Sequence, residues 1–143
     1  MHMNKAAATL LVLSSFFSLT AHSVDTNDGL YKKRILGTWQ SEFEWHDRRH
    51  PNSWIKARGR DVYRNDGSLS GKVDYEYPDH EATSDYEARW KIENGDLIVE
   101  IVNAEGGYLK PGTGTRDNIR SLTEGEMVLE SEDGNRIVLR RLE

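Results

Sequence analysis

From residue 35 onward, apolar side chains recur at every second position of this chain. Leu69, Gly71, Val73, Tyr75 and Tyr77 fall on one face of an extended segment, and Ser70, Lys72, Asp74 and Glu76 on the other. Tyr86, Ala88, Trp90 and Ile92 oppose Glu87, Arg89, Lys91 and Glu93 in the same way. A period of two belongs to strands with one greasy and one wet face, not to helices. Eight short strands are predicted, over residues 35–45, 53–63, 69–77, 85–92, 97–103, 116–122, 127–131 and 136–142. Tight turns separate several of them, at Asn65-Asp66-Gly67, Glu93-Asn94-Gly95-Asp96 and Glu132-Asp133-Gly134-Asn135. Asp-Gly and Asn-Gly suit the left-handed backbone of a hairpin turn. Longer loops are expected over residues 46–52, 78–84 and 104–115, the last rich in Gly and holding Pro111.

Short strands joined by tight turns indicate an antiparallel sandwich or barrel. No helical pattern lies between strands to supply a parallel crossover, and short connections favour sequential neighbours. Strands with one greasy face must hide that face and pair both sheet edges. Closure into a barrel does both at once. The expected fold is therefore all-β, an eight-stranded antiparallel up-and-down barrel.

Composition and the N-terminal stretch place this domain. Residues 1–23 carry one charge, Lys5, then the apolar run from Ala6 to Thr20 and the small residues of Ala21-His22-Ser23. This is the layout of a cleavable secretory signal. The run is also shorter than the roughly 17–25 residues that span a bilayer. Residues 24–143 are then one mature domain, whose first part, 24–34, is polar and reads as a leader or short helical turn. A periplasmic or secreted protein with no stable membrane anchor after cleavage is expected. The chain has no Cys, which removes disulfides, thiol chemistry, Cys-ligated metal and a lipid-modified Cys anchor. Its 19 basic and 24 acidic residues are interspersed and give a net charge of −5, which argues against nucleic acid as a partner.

The first predicted strand reads Leu36-Gly37-Thr38-Trp39. With its strand count, the Asp-Gly hairpin, the Trp-bearing middle strand and a basic last strand, the chain resembles the lipocalin-like proteins of the calycin group. The likeness is to small bacterial lipocalin-like domains of unassigned function, over residues 35–142. The resemblance implies that Trp39, following Gly37, plugs the closed end of the barrel and that an Arg of the last strand packs across it. Arg140 and Arg141 are the candidates. Arg141 shares a face with Ile137 and Leu139 and is the expected partner. A guanidinium on an indole face is worth about 0.5–2 kcal/mol. On the residues alone, Trp39 also suits the core of another β-barrel or sandwich.

The chemistry on offer points to binding. If the barrel forms, Trp39, Phe43, Trp45, Tyr75, Tyr77 and Trp90 face its interior. Phe43, Trp45, Tyr75, Tyr77 and Trp90 are the candidate ligand-binding set for a small apolar or aromatic molecule. The same rings could instead fill the interior, since eight strands leave room for side chains or one small ligand. Lys56, Arg58 and Arg60 share a face of the second strand. Turned inward they would suit an anion, and turned outward they form a solvated face with Ile55, Ala57 and Gly59 inside. His46, Asp47 and His50 form a weak metal pattern, spoiled by Arg48 and Arg49 between them, and Asp79-His80 lies elsewhere. No metal or cofactor is expected. No nucleophile elbow, phosphate loop or zinc-protease helix is present, and Gly106, Gly107, Gly112 and Gly114 lack the strand–loop–helix context of a phosphate site. The leading expectation is a non-enzymatic, exported ligand-binding barrel. The alternative is a packed barrel that contacts an envelope or secreted protein, as an interaction or inhibitor module, through loops 46–52, 78–84 and 104–115.

Overall fold

The computed structural model describes residues 27–47, 50–106 and 109–143. The expected signal peptide, residues 1–23, lies outside them. A short helix α1 (Asn27–Arg34) leads into eight strands: β1 (Gly37–Asp47), β2 (His50–Tyr63), β3 (Ser68–Glu76), β4 (Glu81–Glu93), β5 (Asp96–Glu105), β6 (Gly114–Leu122), β7 (Glu126–Glu130) and β8 (Arg136–Arg141). Each strand pairs antiparallel with the next, and β8 returns to β1, so the sheet is a closed up-and-down barrel. No helix among the described residues is long and apolar enough to cross a membrane.

The alternation seen along the chain becomes inside and outside. On β2, Ile55, Ala57 and Gly59 are buried while Lys56, Arg58 and Arg60 are exposed. The register stacks inward side chains of β1–β4 in rows. One row runs Trp39–Asp61–Gly71–Tyr86, the next Ser41–Gly59–Val73–Ser84, and a third Phe43–Ala57–Tyr75–Ala82.

The two ends differ. The turns after β2, β4 and β6 lie at one end with α1, and this end is closed. Ile35, Trp39, Tyr63, Leu69, Leu97, Leu122 and Met127 form its packed core. The Asp28 carboxylate accepts hydrogen bonds from the backbone N–H groups of Asn94 and Gly95, each at 2.9 Å, and so ties α1 to the β4–β5 turn. The connections after β1, β3, β5 and β7 lie at the other, open end. There the ladder between β1 and β8 spans only Trp39, Gln40 and Ser41, so the far half of β1 stands clear of β8.

The long loops expected at this open end are shorter than their composition suggests. β1 runs to Asp47 and β2 begins at His50, β4 begins at Glu81, and β5 and β6 reach Glu105 and Gly114. Polar residues that read as loop continue the ladders, because their outward faces are wetted and their backbones still need partners. Pro51 is accommodated by a bulge: His46 pairs with Trp54 but Asp47 pairs with His50. Proline cannot donate to a ladder and is tolerated where pairing is interrupted.

Candidate functional site

At the closed end, chemistry is spent on holding the fold. Trp39 is 0% exposed, and its Nε1–H donates to the Ile35 carbonyl at 2.7 Å. The Arg141 guanidinium lies over the indole, with Cζ 4.3 Å from the ring centroid. The same guanidinium donates to the carbonyls of Leu36, at 2.6 Å, and of Arg34 and Glu124. Gly37 makes this possible. Its φ is +123°, and any side chain there would strike Arg141. The last strand, the β6–β7 turn and the segment after α1 are thus gathered on one cation.

The expected ligand-binding set divides between the ends. Phe43 is on the inner face of β1 but 40% exposed, because β8 has diverged from β1 at that height. Tyr75 is nearly buried, two strands away across Ala57. Tyr77 lies just past β3, in the β3–β4 connection rather than inside the barrel. It is half-buried, with its ring 4.4 Å from and nearly parallel to that of His80, and 6.2 Å from that of Tyr75. The Trp45 side chain lies outside the described residues. Trp90 is not part of this group. It sits near the closed end, where its indole N–H donates to the Arg64 and Ser68 carbonyls at 3.0 and 3.1 Å and its ring meets Tyr63 edge-on. The reason is positional: Trp90 is three residues from the end of β4, beside the β2–β3 turn whose carbonyls it satisfies.

Below the open end the wall is lined by small side chains. Ser41 is 5% exposed, Ser84 is 0% exposed and Gly59 is buried, while Val73 of the same row is half-buried. The Ser84 hydroxyl donates to the Gly106 carbonyl at 2.7 Å, which docks the start of the β5–β6 connection onto the wall. The strand ends that flank the connections after β1, β3 and β5 lie at this one end.

A groove of about 680 Å³ crosses β1–β4 near the open end, along the Phe43–Ala57–Tyr75–Ala82 row. Its walls are two cross-strand rows of exposed charges, Glu42–Arg58–Asp74 and Glu44–Lys56–Glu76. Arg58 and Glu42 form an ion pair at 3.1 Å. The His46 ring packs against the exposed Trp54, tilted by 39° with centroids 3.6 Å apart. Among the described residues, no group of three or more His, Asp or Glu is placed to hold a metal ion.

One inward cluster was missed in the sequence. Asp61 lies on the inner face in the row of Trp39 and Tyr86, and the Tyr86 hydroxyl donates to its Oδ1. Burial pushes the Asp61 carboxyl up to about 6, against the lowering effect of that hydrogen bond. The signal was available: Asp61 shares its parity on β2 with Ile55, Ala57 and Gly59.

No protein-family model and no curated protein sequence matches this chain.

Proposed function

We propose that this chain is an exported lipocalin-like domain that acts by binding, not catalysis, and takes a small, partly apolar or aromatic ligand at its open end. The seat would be a shallow mouth walled by Phe43, Tyr75 and Tyr77, above the buried Ser41 and Ser84. The observation that carries this reading is Phe43. A ring on the inner face is 40% exposed, at the height where β1 has no β8 partner. Large apolar side chains left open inside a concave wall are the usual material of a ligand site. Secretion to the periplasm or beyond, read from residues 1–23, belongs to the same proposal.

The test is a fluorescence titration of the mature domain with an aromatic or fatty-acid probe. Saturable binding at or below the order of tens of micromolar is expected, weakened by Phe43→Ser at least about fivefold, or about 1 kcal/mol. An absence of binding in that range removes the reading. Mass spectrometry of molecules that co-purify with the domain would then identify the ligand class.

The burial of Ser41 and Ser84 below the mouth favours a second reading. With Ser84 sealed under Gly106, the connections clustered at the open end could engage an envelope or secreted protein instead. A probe that fails to bind, together with a defined protein complex lost on shortening residues 78–80, would favour it.

A further inference from the structure

The barrel wall carries a carboxyl group on its inside. The inward positions of β2 end with Gly59, Asp61 and Tyr63, and Asp61 is half-buried among rings. Its cross-strand neighbour on β3 is Gly71, and the next on β4 is Tyr86. A Cβ at position 71 would collide with the Tyr86 phenol ring. The glycine is thus the gap through which the phenol of β4 reaches over β3 to the carboxyl of β2.

The groups around this pair set its response to protons. From β4 comes the Tyr86 hydroxyl, which donates to Asp61. Tyr63 of β2 lies close enough to feel both Asp61 and Asp117 of β6, and Tyr75 of β3 lies near Tyr86. From β1 the neighbour is Trp39, which carries no charge. The nearest basic group in the row is Arg141 of β8, whose donors are directed at the Leu36, Arg34 and Glu124 carbonyls. Among the described residues, the immediate neighbours of Asp61 are therefore neutral or acidic. Ionisation would leave a partly desolvated carboxylate supported by one phenol hydrogen bond and no countercharge, which is costly.

We propose that Asp61 and Tyr86 form a pH-responsive clasp across the β2–β4 wall: the wall is most stable while Asp61 is protonated and is weakened when it ionises, because the Tyr86 hydrogen bond only partly offsets the lost solvation of the carboxylate.

The direction follows from linkage. The folded state holds the Asp61 proton to about pH 6, well above the ordinary carboxylate range. Between those limits the folded state binds more protons than the unfolded one, so stability falls as pH rises and levels off above the folded value. Asp117, raised by burial, acts in the same sense.

Chemical denaturation across pH tests this. The unfolding constant of the wild-type domain is expected to rise about tenfold between about pH 5 and pH 7.5. Asp61→Asn, which keeps the acceptor but not the charge, should flatten most of that rise. Tyr86→Phe removes the bond that favours the charged form, and should move the midpoint upward by about one pH unit. Direct carbon-13 NMR titration of the Asp61 carboxyl gives a readout independent of either variant. A midpoint in the ordinary carboxylate range, or an unchanged pH profile in Asp61→Asn, would overturn the clasp.

Discussion

The closed and open ends of this barrel are built from the same alternating strands and put them to opposite use. At the closed end the inward side chains are large, and their polar atoms are answered by backbone: Trp39 by Ile35, Arg141 by three carbonyls, Trp90 by two more. At the open end the inward positions mix small side chains with large ones, of which Tyr75 and Ile55 are buried and Phe43 is 40% exposed. Ser41, Gly59 and Ser84 line the wall, and Phe43 looks into solvent. The difference arises where β1 and β8 part company after three pairs. Closing a barrel with a short last strand leaves one rim without a neighbour, and an apolar ring on that rim is free to meet something else. Stability and function can thus be divided along the barrel axis.

This division can be broken by measurement. The largest effect should come from Trp39→Ala, which empties a fully buried indole site and strands Arg141. A loss of about 3–5 kcal/mol in chemical denaturation is expected. Phe43→Ala at the other end should cost about 1 kcal/mol, because much of that ring is already in water. Equal losses would mean that the ends are not energetically distinct. Next comes Arg141→Met, which keeps a long side chain but deletes the donors to Leu36, Arg34 and Glu124. The expected loss is about 2 kcal/mol, with faster hydrogen exchange in β1 and β8 and unchanged probe binding at the mouth. Asp28→Ala should cost little as well, about 1 kcal/mol, and fray α1 from the Asn94-Gly95 turn without reaching the open end. Circular dichroism melts and backbone amide shifts of residues 94 and 95 would report it.

The barrel was legible because period-two alternation and short turns leave few ways to bury one face of eight strands. Trp39 and Arg141 stood out by motif and by parity: Arg141 shares a face with Ile137 and Leu139, and that face turns inward. Length of the open-end connections was not legible. Residues such as Glu81, Thr83 and Glu105 have the polarity of loop, yet they sit in ladders whose outer side is water. Parity alone groups Tyr77 and Trp90 with Phe43. Parity states which face a side chain takes, and says nothing of its height along the axis. Tyr77 is past the end of β3, and Trp90 belongs to the hairpin floor.

Local residue order therefore determined the strands, their faces and the inward position of Trp39, because side-chain direction in an extended chain follows from backbone geometry alone. The tertiary structure decided what those inward positions meet. Strand stagger put Trp90 at the floor, and the early parting of β1 and β8 uncovered Phe43. The contact between Tyr86 and Asp61 exists because Gly71 stands between them in a register that forms only when three strands pair. Environment at a barrel interior is a property of neighbours distant in the chain, and only closure brings them to one place.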